Sequence, residues 1–192
     1  MRFPALFRLA VPLLVALSAA PLAAQEPTVV ILVRHAEKAA QPANDPPLSP
    51  EGEVRARVLA AELADAHLDA IVTTQFARTR LTAAPLAEAL RLTPAIVATS
   101  GTALVHARAV ADTIRARYTG RTVLVVGHSN TIPKIITALG GPPLDDFCDN
   151  QYDGLYTVVI RASGIVSLVR GHFGAADGPA PAGCTPTMPA RP

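Results

Sequence analysis

Two stretches of nearly unbroken apolar residues dominate the pattern along the chain, Val29-Val30-Ile31-Leu32-Val33 and Val123-Leu124-Val125-Val126. Runs of this length and purity predict short strands covered on both faces of a sheet. Polar, proline-rich residues fill 39–47, which predicts a loop. Ser49-Pro50-Glu51 then opens a helix, with serine as N-cap, proline at the first helical position and an acid in the first turn. Val54, Val58, Leu59, Ala61 and Leu63 carry helical spacing onward to about residue 66. A second strand is predicted over 68–73, and a helix over 77–90 with Pro85 inside it. A weak strand follows over 95–98, then a helix over 102–118 stopped by Gly120. The second apolar run ends at Gly127-His128, and a helix over 131–139 closes on Gly140-Gly141. Strands over 155–161 and 165–172 form a hairpin across Ala162-Ser163-Gly164. Strands alternating with helices and ending in a hairpin predict an α/β domain: a three-layer α/β/α sandwich, its sheet mainly parallel with an added C-terminal hairpin.

The two ends read differently. Arg2 and Arg8 precede an apolar run over 9–17, with small residues up to Ala24. This is the pattern of a secretory signal peptide over 1–24, which implies an exported, periplasmic or secreted protein with no membrane attachment after cleavage. Residues 25–173 are expected to form the domain. Alanine, proline and glycine dominate 174–192, where little can be buried, so a disordered tail is expected. Cys148 and Cys184 permit one disulfide in an exported protein.

Composition narrows the partners. The 192 residues carry a formal net charge of +2, with 17% charged and 4% aromatic residues. Without a dense basic run or aromatic clusters, nucleic acid is not expected as a partner. The sequence sets no oligomeric state.

The candidate chemistry sits where the apolar strands end. Ligands bind at the carboxyl ends of strands in open α/β sheets. Arg34 and His35 follow the first run, His128 follows the fourth strand, and Arg78 follows the second. Two permanent planar cations, two imidazoles and the nearby helix starts at Arg78 and Thr131 all favour a dianion such as a phosphoryl group.

These segments are similar to a known family. Val33-Arg34-His35-Ala36-Glu37 resembles the Arg-His-Gly signature of the histidine phosphatase superfamily, also called phosphoglycerate-mutase-like. Pro47-Leu48-Ser49-Pro50-Glu51-Gly52 resembles its helix start, and Thr73 to Ala83 resembles its arginine segment through Arg78 and Thr82. Val125-Val126-Gly127-His128-Ser129-Asn130 resembles its second-histidine segment. The likeness covers roughly residues 29–141. It implies a phosphatase of a small exported branch, acting on a small phosphorylated substrate, a phosphomonoester or a phosphoamidate. His35 would attack phosphorus and become phosphohistidine. Arg34, Arg78 and His128, with Asn130, would hold the phosphoryl oxygens, with neither metal nor cofactor. The spare nitrogen of His35 would donate to a backbone carbonyl.

Two departures stand out. Ala36 replaces the usual glycine, and no carboxylate occupies the region 96–108, where relatives carry a general acid. Asp45 is the candidate acid, with Asp145, Asp146, Asp149 and Asp153 as alternatives or as solvated surface acids. His67, His106 and His172 read as packing or surface residues, while Glu37 and Lys38 line the pocket mouth or pair with each other. A mutase and a phosphate-binding module without turnover are the competing readings.

Overall fold

The computed structural model describes residues 26–188. The expected signal segment and the last four residues lie outside them. The elements run β1 (Thr28–Arg34), α1 (Pro50–Glu62), β2 (Ala70–Thr73), α2 (Ala77–Leu90), β3 (Ala95–Ile96), α3 (Ala103–Arg117), β4 (Thr122–Gly127), α4 (Ile132–Ala138), β5 (Gly154–Ile160) and β6 (Val166–His172). One sheet has the order β3-β2-β4-β1-β5-β6. The first four strands are parallel to one another, and the β5–β6 hairpin adds antiparallel beside β1. The expected architecture is therefore the observed one.

Strand periodicity builds the two faces. Val30, Leu32, Val72, Val123 and Val125 pack with Val110 and Ile114 of α3 and with Ile132, Ile135 and Ile136 around α4. The alternate positions Ile31, Val33, Ile71, Leu124 and Val126 pack with Leu59 and Leu63 near α1 and Leu86 of α2. Side chains of period two thus feed two separate cores. Central strands buried on both sides must be apolar throughout, which is why they were legible as runs.

Local signals hold at the helix ends. The Ser49 hydroxyl accepts from the Gly52 amide at 3.2 Å, as the cap pattern predicts. Gly52 meets the loop that follows β1 at very close range. A Cβ there would lie 2.1 Å from the Glu37 carbonyl oxygen, a backbone atom that cannot turn aside. A glycine is thus required where α1 crosses the loop that carries His35.

The C-terminal segment departs from expectation. Residues 174–188 were expected to be disordered, yet they lie against the domain. Cys148 and Cys184 are joined, with their Cα atoms 5.9 Å apart. Asp177 Oδ1 accepts from the amides of Tyr152 (2.8 Å) and Asp153 (3.1 Å). Asn150 Nδ2 donates to the carbonyls of Gly178 and Pro179. Met188 is buried in the α3/α4-side core. A segment poor in apolar residues is held by one crosslink and several hydrogen bonds, which composition alone does not register.

Candidate active site

Register brings the two histidines together. β1 and β4 pair in parallel, with Arg34 opposite Gly127. The His35 amide extends the pairing by donating to Gly127 O at 2.8 Å. The next residue on each strand is therefore an imidazole, and both emerge at the same edge. Their ring centroids are 5.3 Å apart at an interplanar angle of 65°.

His35 is buried, and its Nδ1 lies 2.8 Å from Ala36 O. A carbonyl only accepts, so Nδ1 carries the hydrogen and Nε2 keeps a lone pair. The Ala36 amide donates to Thr82 Oγ1 at 2.9 Å, and that hydroxyl donates to Arg78 O at 2.7 Å. The Thr82 hydroxyl thus fastens the loop that carries His35 to α2.

His128 is held from behind by hydroxyls. Its Nε2 lies 3.2 Å from Thr74 Oγ1, which lies 2.9 Å from Thr79 Oγ1, which donates to Phe76 O at 2.9 Å. Arg78 Nη2 approaches His128 Nδ1 at 3.5 Å. A guanidinium can only donate, so Nδ1 accepts and Nε2–H donates into the hydroxyl chain. Phe76 supports both groups: its ring lies edge-on to His128 at 5.5 Å and beneath the Arg78 guanidinium at 4.4 Å.

Arg34 is placed differently from its neighbour's needs alone. Its Nη1 donates to three carbonyls, those of Cys148 (2.9 Å), Asp149 (3.0 Å) and Gln151 (2.8 Å). Its guanidinium stacks on Tyr152 at 4.1 Å, and Tyr152 also faces His35 at 6.2 Å. Arg34 Nε is buried with no hydrogen-bond partner among the described residues. A buried donor left in this way costs about 1–3 kcal/mol, which a bound acceptor would recover.

The expected acid, Asp45, does reach the site, but as a brace. Its Oδ1 accepts from the Ala77 amide at 2.9 Å and lies 3.8 Å from Arg78 Nη1. It therefore caps α2 and steadies Arg78. Helix starts contribute less than expected. The Ala77 amide is taken by Asp45, and the Thr131 and Ile132 amides bond to His128 O. Among the alternative acids, Asp145 and Asp149 are exposed and Asp146 pairs with Lys134. Asp153 is buried, 3.0 Å from His172 Nδ1, so it is not a solvated acid. Glu37 forms a forked pair with Arg55 at 2.7–3.0 Å rather than pairing with Lys38. Arg55 Nη1 also reaches the carbonyls of Phe173 and Ala175.

A cavity of about 220 Å³ opens beside Arg78 and His128. Asn130 is exposed at its edge, with Phe76, Thr99, Thr102 and His106 also on its wall. Tyr152, Phe76, Thr74 and the loop carbonyls were not anticipated. Phe76 alone had a signal, an aromatic two residues before an arginine at a helix start.

Burial sets the charge state of the imidazoles. It holds His35 down to about 3, aided by the charges of Arg34, His128 and Arg78 and opposed by the bond to Ala36 O. Burial likewise lowers His128 to about 3, with Arg78, His106 and Arg34 adding to it. Both rings are neutral at pH 7 in a pocket of fixed positive charge.

Residues 30–100 match the family model of the histidine phosphatase superfamily (branch 1). Over this segment the chain is similar to the histidine phosphatase superfamily. A stretch of 69 residues is 45% identical to phosphoserine phosphatase 1 of Hydrogenobacter thermophilus, covering 33% of each chain. The match thus spans a third of that relative's length. Among solved structures, YhfR of Bacillus stearothermophilus is similar with a TM-score of 0.57 at 20% identity, covering 73% of this chain and 95% of that one. The protein histidine phosphatase SixA complexed with tungstate gives a TM-score of 0.55 at 18% identity, covering 75% and 96%. These structures share the fold. The matched segment ends before β4, and His128 is brought in by the β1–β4 register outside it.

The depressed imidazoles make stability depend on pH with a definite sign. The unfolded chain takes up protons below about pH 6.5, while the folded one refuses them until about 3. The unfolded state therefore binds more protons in this window, and stability falls as pH drops through it. The slope is about 1.4 kcal/mol per pH unit for each ring. Melting temperature is expected to decline steadily from pH 7 to 4.5, and inorganic phosphate is expected to restore part of the loss by stabilising the protonated rings. A melting temperature flat across that range, with or without phosphate, would contradict this picture of the pocket.

Proposed function

We propose that this chain is an exported, metal-independent phosphatase that hydrolyses a phosphomonoester or phosphoamidate through a phosphohistidine on His35. The observation that carries the reading is the tautomer of His35, with Nδ1–H fixed on Ala36 O and a free Nε2 lone pair beside His128. A neutral, oriented nitrogen needs no general base to attack phosphorus. Arg78 lies 3.5 Å from His128, whose ring is 5.3 Å from that of His35, so the arginine's charge is close to where negative charge builds on the equatorial oxygens. The orphaned Nε–H of Arg34 supplies a further donor for a phosphoryl oxygen. Asn130, at the cavity edge, meets the part of the substrate beyond phosphorus. With permanent cations filling the role of a metal, phosphoryl transfer requires only positioning and charge.

Brief incubation of the mature protein with 32P-labelled p-nitrophenyl phosphate tests the reading. The expected result is an acid-labile, alkali-stable phosphoprotein together with p-nitrophenol release, both abolished by His35→Ala. Turnover that survives His35→Ala removes the proposal. Phosphate binding without turnover in the unaltered protein turns the reading into that of a binding module.

A further inference from the structure

We propose that His106 is the group that protonates the leaving oxygen of the substrate and later activates water, in place of the absent carboxylate. This rests on the phosphatase reading above and adds to it a residue outside the four that define the anion pocket.

The helix itself calls for an apolar residue at this position. His106, Val110 and Ile114 follow one another at intervals of four, and with Ala107 and Ala111 they form the buried face of α3. That stripe packs against the sheet. A histidine in such a stripe gives up hydration and needs a compensating partner. Only Nδ1 of His106 has a partner among the described residues, Ala98 O at 3.4 Å. The carbonyl fixes the hydrogen on Nδ1 and leaves Nε2 as the site that takes up or releases a proton. The residue is 3% exposed, and it contributes to the wall of the cavity shared with Arg78 and His128. His106 is thus a buried titratable group on the wall of the cavity that Arg78 and His128 also line.

The surroundings agree with that role. The titratable and charged groups that share the cavity wall with it are Arg78 of α2 and His128 beyond β4. Asp45, the other candidate, is bonded to Ala77 N and faces Arg78, so its Oδ1 is already occupied. Burial lowers the proton affinity of His106 in the free protein. A substrate dianion arriving between the arginine and the imidazoles reverses that bias, so the proton is taken up with the substrate that needs it.

The steps balance. His35 Nε2 forms a bond to phosphorus as the P–O bond to the alcohol breaks, and the imidazolium of His106 gives its Nε2 proton to the departing oxygen. Neutral His106 then takes a proton from water as that water attacks phosphorus and the P–N bond breaks. Inorganic phosphate leaves, and both histidines return to their starting states.

His106→Asn tests the assignment, because asparagine can still donate to Ala98 O but cannot carry a proton. The readout is kcat/KM for two substrates, propyl phosphate, whose alkoxide leaves poorly, and p-nitrophenyl phosphate, whose phenolate leaves unaided. The expected result is a loss of about 100-fold or more on propyl phosphate. On p-nitrophenyl phosphate kcat/KM, which reports only the steps up to release of the phenolate, is expected to fall by no more than about threefold, while kcat falls further because His106 no longer activates water. A folded variant that loses both substrates equally, or neither, overturns the assignment. A series of esters of graded leaving-group pKa on the unaltered protein decides the matter if the variant does not fold. A shallow dependence supports a proton donor on this wall, and a dependence as steep as the uncatalysed reaction overturns it. An unaltered protein that turns over no ester at all overturns the phosphatase reading itself, which is a different outcome from a failure of His106 alone.

Discussion

Arg78→Ala is expected to lower kcat/KM for p-nitrophenyl phosphate by about 1,000-fold, the upper end of what one charge-stabilising donor contributes to a transition state. The guanidinium is placed by three contacts, with Asp45 at 3.8 Å, His128 Nδ1 at 3.5 Å and the Phe76 ring at 4.4 Å. Each fixes a different degree of freedom, so its donors are already oriented before a phosphoryl group arrives. Charge grows on the transferring oxygens only as the bond to His35 forms, so kcat is expected to fall along with kcat/KM. Burial lowers the proton affinity of Arg78, with Asp45 opposing, yet an arginine stays charged across the working range. Arg78→Lys is expected to recover little, because a point charge on a flexible stem cannot keep the planar contacts with Phe76 and His128. A loss below tenfold, or one confined to KM, would remove Arg78 from the transition-state contacts.

Reduction of the Cys148–Cys184 bond is expected to cost about 4 kcal/mol of stability, given a closed loop of 36 residues. The effect on activity should be separable from that loss. Cys148, Asp149 and Gln151 supply the three carbonyls that hold Arg34 Nη1, and Tyr152 supplies the ring it stacks on. The crosslink anchors the first of these residues, while Asp177 fixes Tyr152 from the other side. With the crosslink open, Arg34 loses a rigid seat while His35, His128 and Arg78 keep theirs. KM is expected to rise about tenfold with a smaller change in kcat, as when ground-state binding is weakened. Comparison of the oxidised protein with the Cys148→Ser, Cys184→Ser double variant, both well below their melting temperatures, provides the check. Identical KM values would show that the loop holds its shape without the bond.

Much of this arrangement was legible in the chain because its causes are local. Apolar runs gave β1 and β4, and the rule that parallel strands expose their carboxyl ends together gave the meeting of His35 with His128. Ser49 and Pro50 marked the start of α1 because capping depends on adjacent residues alone. The partners of Arg34 had no such signature. They are backbone carbonyls more than a hundred positions away, and every residue type has a carbonyl. Asp45 was chosen because it follows His35 in a loop, but the distance to Ala77 N, and so its bracing role, depends on how that loop folds back. His106 was read as packing because its helical position is a packing position. Only the cavity beside it distinguishes the two uses. The C-terminal segment misled for a compositional reason: proline, alanine and glycine offer little to bury, and what holds them is a crosslink, a carboxylate and one methionine.

The order in which the polypeptide emerges from the ribosome gives the Arg34 seat a temporal meaning. A nascent chain released as far as β6 already possesses the whole sheet and both imidazoles. It still lacks Asp177 and Cys184, the two residues that steady the loop around the first arginine. The seat of Arg34 is thus completed after the sheet and both imidazoles, when Asp177 and Cys184 have joined it.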